Sequence, residues 1–148
     1  MVKNIFLKNN KFFFSIIVIT VLILDQITKV IVRQINPHID WGILKIQLIQ
    51  NSGAGFGILQ GKSFWLALIS LIVIIAIIYN YKNIPKNHFA QTFFALFLGG
   101  AIGNFIDRIF FGQVTDFINF TFWPAFNIAD TALTISVIGL MIYYIKEK

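Results

Sequence analysis

The chain alternates long apolar stretches with shorter polar ones, and four of the apolar stretches have the length of a membrane-spanning helix. They cover residues 12–32, 63–81, 89–106 and 127–145. A helix needs about 20 residues to cross the hydrocarbon core of a bilayer, and each stretch comes close to that length. The pattern predicts an all-α membrane protein with four transmembrane helices, formed by one domain that covers residues 1–148.

The first apolar stretch raises the alternative of a cleaved signal peptide, because Lys3, Lys8 and Lys11 precede it. No small-x-small cleavage site follows the stretch. Its last turns also carry the polar residues Asp25 and Lys29, which fit a role of their own. We therefore interpret this stretch as a transmembrane helix.

Lysine and arginine residues between the stretches indicate the orientation of the helices. Seven lie at the termini and in the link between the second and third stretches: Lys3, Lys8, Lys11, Lys82, Lys86, Lys146 and Lys148. Four lie in the two remaining loops: Arg33, Lys45, Lys62 and Arg108. Positive residues favour the cytoplasmic side of a membrane. We therefore predict a multi-pass protein of the cell membrane, with both termini in the cytoplasm and the two longer loops outside.

The two outer loops differ in composition. In the first loop, residues 43–50 alternate partly and lead into the run NSGAGFG at residues 51–57, which predicts a short strand entering a turn. The second loop, residues 109–126, is rich in aromatic residues, which favour the headgroup region. The predicted fold thus includes a small extracytoplasmic region that contains β-structure.

The composition agrees with a membrane protein and narrows the possible chemistry. Apolar residues make up 57% of the chain and charged residues 12%, about half the charged share of a soluble domain. The net charge of +6 comes from residues that flank the apolar stretches, which favours a membrane surface over nucleic acid. The chain has no cysteine, which excludes disulfides and thiolate chemistry. Its two histidines, His38 and His88, fall on opposite sides of the predicted membrane, so we predict no metal site and no cofactor.

Polar residues at the ends of three apolar stretches are predicted to meet in one layer. They are Asp25, Lys29, Asn104, Asp107, Arg108, Asn127 and Asp130. Spacings of three and four residues place the members on each helix on one face. Because the first and third helices run outward and the fourth runs inward, all of these residues lie near the outer surface, as does Asp116. Gly99 and Gly103 form a GxxxG pair beside this layer, which favours close helix packing there.

This set of residues favours carboxylate chemistry. Two aspartates held close together in a low-dielectric site share a proton, because both cannot ionise readily. One can then activate water as a general base while the other protonates the carbonyl oxygen of an amide. A proton-coupled transporter is the alternative use of buried carboxylates, but it predicts a charge near the middle of a helix. A non-enzymatic membrane scaffold leaves Asp116 and Asp130 unexplained.

Five short motifs, in a fixed order along the chain, resemble those of bacterial lipoprotein signal peptidase, also called signal peptidase II. They are Asp25-Gln26-x-x-Lys29, Asn51-x-Gly53-Ala54-x-Phe56-Gly57, Gly99-Gly100-Ala101-x-Gly103-Asn104-x-x-Asp107-Arg108, Val114-x-Asp116-Phe117 and Phe126-Asn127-x-Ala129-Asp130. Each motif is weak by itself. Five in the expected order, on a chain of the expected size and helix count, make the resemblance specific.

The resemblance implies an aspartyl endopeptidase that cuts the signal peptide from a prolipoprotein just before a diacylglyceryl-modified cysteine. It implies that Asp116 and Asp130 form the catalytic pair. The residues it assigns to substrate binding or to support of the pair are Asn51, Gly53, Asn104, Arg108 and Asn127. The residues it assigns to a structural network are Asp25, Lys29 and Asp107. Prolipoproteins and membrane lipids are the implied partners, and we expect a monomer.

Two features depart from the family's pattern. Gly55 stands where the family more often has alanine, which makes the glycine-rich loop more flexible. The stretch between Asp116 and Asp130 is a few residues shorter than usual, which affects the shape of the substrate entrance. Because Asp116 lies in a loop that we interpret as mobile, we expect loop closure on the substrate to set the distance between the two aspartates.

Overall fold

Among the residues that the structure describes, four helices and a three-stranded antiparallel sheet make up the fold. The computed structural model describes residues 2–55 and 58–147, with side chains described from residue 10 onward. The helices are α1 (Val2–Ile35), α2 (Ser63–Tyr79), α3 (His88–Phe111) and α4 (Ile128–Lys146). The strands are β1 (His38–Asp40), β2 (Leu44–Asn51) and β3 (Val114–Phe120), and β2 lies between the other two. One turn of 3-10 helix, Tyr81–Asn83, follows α2.

Three of the helices are long and apolar enough to cross a membrane, namely Asn10–Ile35 within α1, α3 and α4. α2 is equally apolar but has only 17 residues. Large apolar side chains on the outward faces of the helices, such as Ile19, Ile72 and Ile138, are more than half exposed. Apolar exposure of this extent is typical of a surface that contacts lipid. The prediction of a mostly helical membrane protein with a small β-region is confirmed at this level.

α3 continues past the end that the apolar pattern predicted. It runs to Phe111 rather than Ile106, and Gly112 ends it in the left-handed conformation with φ of +72°. Asp107 and Arg108 therefore lie on the helix itself. The pattern stops at the first charged residue, whereas the helix continues because the fold supplies partners for both charges.

The second outer loop contains a strand that the sequence pattern did not predict. β3 pairs with β2 in antiparallel register, with Val114 opposite Asn51 and Phe120 opposite Leu44. Asp116 lies within this strand and is only 1% exposed. The expectation that Asp116 sits in a mobile loop was therefore wrong. The aromatic residues of β3 belong to a sheet edge, and composition alone does not separate such an edge from an interfacial anchor.

α3 is the central helix, and small residues allow its neighbours to come close. Half of its apolar span is buried inside the protein, against 22% for α1 and for α4. A Cβ atom on Gly99 would lie 2.9 Å from Val21 of α1, and one on Gly103 would lie 2.5 Å from the carboxylate of Asp25. On the opposite side, a Cβ atom on Gly100 would lie 2.6 Å from the carbonyl oxygen of Ala129 in α4. The predicted GxxxG pair thus packs against α1, while Gly100 serves the contact with α4.

We expect Gly100→Ala to destabilise the protein by about 1–3 kcal/mol, the usual cost of overpacking a close contact. The added carbon would have to displace α4 backbone rather than a flexible side chain. Thermal unfolding in detergent micelles measures the loss. Gly55→Ala is the matched control, because a Cβ atom there meets nothing within 4 Å. Equal stability of the two variants would contradict the close contact between α3 and α4.

Candidate active site

Seven buried polar or charged side chains gather where α1, α3 and α4 meet the sheet. They are Asp25, Lys29, Asn104, Asp107, Thr115, Asp116 and Asn127. Asp130 joins them from the first turn of α4 and is partly exposed. Buried polar groups are costly unless they are hydrogen-bonded, so the contacts of each one decide what the cluster can do.

Asp116 is held by two asparagines. Its Oδ2 accepts a hydrogen bond from Asn51 Nδ2 at 3.0 Å, and its Oδ1 accepts one from Asn127 Nδ2 at 2.7 Å. Asn51 reaches it because β2 and β3 are neighbours in the sheet. Burial raises the pKa of Asp116 to about 7, and the nearby charge of Asp130 acts in the same direction. This carboxyl group therefore holds a proton under mildly acidic conditions in which an exposed aspartate is ionised.

Asp130 is fixed by the way α4 begins. Asn127 and Asp130 form a capping box, in which Asn127 Oδ1 accepts from the Asp130 backbone N–H at 2.9 Å. In return, Asp130 Oδ2 accepts from the Asn127 backbone N–H at 3.3 Å. Its other oxygen, Oδ1, accepts from Asn104 Nδ2 at 2.8 Å. These two residues thus form a helix cap, and the cap also fixes the position of the Asp130 carboxylate.

Asn127 connects the two aspartates. Its side-chain oxygen faces the Asp130 backbone, which leaves its side-chain nitrogen directed at Asp116. An amide can satisfy both contacts only in this orientation, because one end accepts and the other donates. Asn127 also donates to Asn104 at 3.2 Å. The pair is therefore linked through one fully buried residue.

A buried ionic network lies behind Asp130. Lys29 Nζ contacts Asp25 at 2.8 Å, Asn104 Oδ1 at 3.0 Å and Asp107 at 3.5 Å. By accepting from Lys29, the oxygen of Asn104 is turned away from Asp130, and its nitrogen is left to donate to that carboxylate. The other oxygen of Asp25 accepts from the backbone N–H of Ala129 in α4 at 2.9 Å. The predicted structural network thus contacts the carboxylate pair through Asn104.

Arg33 belongs to the same network, and the sequence interpretation missed it. Its Nη1 donates to Thr115 Oγ1 at 2.9 Å and to Asp107 at 3.3 Å, and its guanidinium lies 4.1 Å from the ring centre of Phe111. Asp107 also accepts from the backbone N–H of Thr115 at 2.9 Å. These contacts hold in place the part of β3 that carries Asp116. The spacing of Lys29 and Arg33, four residues apart on α1, could have indicated a shared face.

The glycine-rich motif contacts the site through its first residues. Asn51 Oδ1 accepts from the Gly53 backbone N–H at 2.9 Å, which directs its nitrogen at Asp116. Arg108 Nη2 donates to the Gly53 carbonyl at 3.2 Å. Arg108 Nε is buried and has no hydrogen-bond partner within the described residues. Phe56 and Gly57, the last residues of the motif, lie outside the described residues.

An apolar groove of about 360 Å³ opens beside the pair. Its polar side chains come from Asn51, Arg108, Asp130, Thr131 and Thr134. Most of its lining is apolar and includes Ala54, Val114, Trp123, Phe126, Leu133 and Ile135. A groove with this lining suits an apolar peptide segment.

The arrangement supports acid–base chemistry at a water molecule. Two aspartates share one network, and the raised pKa of Asp116 keeps a proton available near neutral pH. Groups of three or more potential metal ligands do not occur among the described residues. His38 lies in β1 and His88 begins α3, at opposite ends of the helices.

We expect Asp116→Asn to flatten the dependence of thermal stability on pH. The pKa of Asp116 is about 7 in the folded protein against an ordinary value of 3.8, so the folded state binds more protons between these values. Stability therefore falls as pH rises through this range, by roughly 2–4 kcal/mol. The variant lacks this loss of stability. The difference in melting temperature, variant minus unmodified protein, should therefore be more positive at pH 8 than at pH 5.

Asp40→Asn is the control for this measurement. Asp40 is exposed, and its hydrogen bond with Lys45 lowers its pKa. Removing its carboxylate has the opposite and smaller effect, since stability from a lowered pKa is lost as pH falls. A pH dependence in Asp116→Asn that matches the unmodified protein would contradict the burial argument.

Comparison with known proteins shows which family the chain resembles. The profile of the family described as signal peptidase (SPase) II matches residues 17–146. Lipoprotein signal peptidases of Staphylococcus aureus strains JH9 and Newman are each 39% identical to it, in alignments that cover 89% of this chain and 87% of the relative. The transporter alternative has no support among these relatives.

Two solved structures of bacterial membrane enzymes share the fold. The first has a TM-score of 0.84 at 38% identity and covers 90% of this chain and 88% of its own. The second has a TM-score of 0.80 at 37% identity and covers 91% of this chain and 94% of its own. Profile, relatives and fold agree, and the chain belongs to the signal peptidase II family of aspartyl peptidases.

Proposed function

We propose that this chain removes the signal peptide from prolipoproteins by cutting before a diacylglyceryl-modified cysteine, with Asp116 and Asp130 as the catalytic pair. The observation that carries the proposal is the link through Asn127 beside an apolar groove: its side-chain nitrogen donates to the Asp116 carboxylate, and its backbone N–H donates to the Asp130 carboxylate. Relatives named lipoprotein signal peptidase align along most of the chain and support the same reaction.

The pair would act with one shared proton. The ionised carboxylate takes a proton from a water molecule, which attacks the carbonyl carbon of the scissile bond, while the protonated partner donates to the carbonyl oxygen. The tetrahedral intermediate then collapses, and a proton returns to the leaving nitrogen. The raised pKa of Asp116, about 7, supports one proton held by the pair near neutral pH.

The supporting residues fall into groups according to the part of the site that each one contacts. Asn51 and Asn127 orient Asp116, while Asn104 and Asn127 orient Asp130. Arg108 has a buried Nε without a partner in the described structure, at the edge of the groove. It is suited to donate to a carbonyl of the substrate backbone.

Asp25, Lys29 and Asp107 are proposed to act as structural residues. Lys29 contacts Asn104 rather than either aspartate of the pair, and Asp107 contacts the backbone of Thr115. Every group in this scheme comes from one chain. We therefore propose a single peptidase domain, residues 1–148, that works as a monomer.

The groove explains the preference for a lipid-modified substrate. Leu133 and Ile135 of α4 line it, and Ile135 is 48% exposed on the outward face of that helix. A substrate whose cysteine is anchored in lipid by its acyl chains can enter along this face. Its scissile bond would then lie at the level of Asp130, in the first turn of α4.

We also propose that all four helices span the membrane, with both termini in the cytoplasm and the pair at the extracytoplasmic face. α2 is about 25 Å long at 1.5 Å per residue, slightly short of a hydrocarbon core of about 30 Å. Exposed Phe64 and Trp65 at its start suit the headgroup region, and a modest local thinning of the bilayer accommodates the difference.

Asp116→Asn and Asp130→Asn are each expected to lower cleavage by about a thousandfold or more, since acid–base catalysis contributes roughly 10²–10⁴-fold and each partner serves both steps. Release of signal peptide from a diacylglyceryl-modified precursor by purified enzyme measures the effect, with an unlipidated precursor beside it. Asp40→Asn removes an exposed carboxylate of the sheet and should leave the rate unchanged. Full cleavage by either of the first two variants rules out the assigned pair.

The proposed orientation predicts which single cysteines are accessible from outside. The chain has no cysteine, so Lys45→Cys and Lys82→Cys each introduce one thiol. In intact cells, a membrane-impermeant maleimide should label position 45 on β2 and spare position 82, which follows α2. Both positions should react after the cells are opened. The reverse pattern in intact cells would invert the topology.

A further inference from the structure

A second groove lies between α1 and α2, at the end of the helices opposite Asp116. These two helices pack mainly against α3 rather than against each other, so a cleft remains between them with Leu98 of α3 on its floor. The cleft has a volume of about 400 Å³, and its walls include Phe14, Val18 and Ile77. It takes no part in the peptidase site.

The position of the cleft determines what can fill it. Phe14 and Val18 belong to the membrane-spanning part of α1, and Ile77 lies near the end of the apolar helix α2. An apolar cleft of this size at hydrocarbon depth contacts lipid tails and not water. Its volume falls in the range of small-molecule sites. An acyl chain is therefore the natural occupant of its inner part.

Two lysines flank the mouth of the cleft. Lys11 lines it directly. Asn10 Nδ2 donates to the carbonyl of Lys86 at 2.9 Å, which ties the start of α1 to the loop before α3 and brings Lys86 beside Lys11. The ammonium group of Lys86 donates to the Tyr81 carbonyl at 3.0 Å and lies 4.8 Å from the centre of the Tyr81 ring. Tyr81 itself lines the cleft.

Neither lysine has a carboxylate partner among the described side chains, whose ion pairs involve only Lys29, Arg33 and Lys45. Burial lowers the pKa of Lys86, and the neighbouring charge of Lys11 lowers it further. Two like charges held together at a membrane edge attract an anionic headgroup.

We propose that this cleft binds an anionic glycerophospholipid, with one acyl chain between α1 and α2 and its phosphate between Lys11 and Lys86. The acyl chain explains the apolar cleft, and the phosphate supplies the missing counter-charge. The acyl chain of a zwitterionic lipid fills the cleft equally well. The positively charged group of its headgroup, however, lies beside the two lysines. The site is independent of the assignment of the catalytic pair.

Native mass spectrometry of the purified full chain in detergent tests the proposal, with phosphatidylglycerol and phosphatidylcholine of identical acyl chains as probes. Phosphatidylglycerol should bind more tightly. The double variant Lys11→Gln/Lys86→Gln should weaken its binding by about 25-fold, the loss of two lysine contacts at a membrane surface, and leave phosphatidylcholine unaffected. Lys82→Gln/Lys146→Gln is the matched control, because it removes the same charge at the same edge outside the cleft.

Two further measurements separate the lipid from other occupants. Ser15→Trp places a large side chain in the cleft and should weaken binding of both lipids, as expected if the acyl chain occupies it. Millimolar inorganic phosphate should not displace phosphatidylglycerol, and displacement would show a free-anion site instead. Equal affinity for the two lipids, or equal loss in the two double variants, would overturn the proposal. Unchanged melting temperatures and unchanged precursor cleavage show that the lysine variants are folded.

Discussion

The buried ammonium group of Lys29 joins segments of the protein that lie far apart in sequence. It contacts Asp25 on its own helix and both Asn104 and Asp107 on α3, and Asn104 continues the network to Asp130 on α4. An uncompensated charge at such a site costs several kcal/mol. The helices are therefore restricted to the arrangement in which every partner is in place, and that arrangement also builds the candidate site.

The charges around Lys29 balance when the aspartate pair holds one proton. The cations of the network are Lys29, Arg33 and Arg108. Its carboxylates are Asp25, Asp107, Asp116 and Asp130. One proton shared by Asp116 and Asp130 brings the negative charge to three, equal to the positive charge. A neutral network is the least costly one in a low dielectric, so the electrostatics of the fold favour the protonation state that acid–base catalysis requires.

Features that depend on neighbours within one helix were predictable from the sequence. The apolar stretches predicted the helices, and the spacing of Asp25 and Lys29 predicted their shared face. Pairing between distant segments was not predictable. β3 was missed because its aromatic residues also suit a membrane anchor. Arg33 was treated only as a topology marker, because its partner Thr115 is 82 residues away.

The family motifs located Asp116 and Asp130 as the candidate pair, but their relation to each other is a property of the fold. A pair divided between a mobile loop and a helix would need the substrate to assemble it. Instead, Asp116 is buried in a strand and is linked to Asp130 through Asn127.

Because Asp116 and Asp130 are linked through Asn127, substrate specificity under the proposed function has to arise at the entrance to the site. Asp116 is only 1% exposed, and the same burial raises its pKa. The groove beside Asp130 instead runs along α4, where Leu133 and Ile135 meet the lipid-facing surface. A peptide held at that surface by its acyl chains reaches the pair by sideways movement within the membrane, whereas an unlipidated peptide must first enter the apolar layer unaided. Selection of lipidated precursors then follows from access to the site.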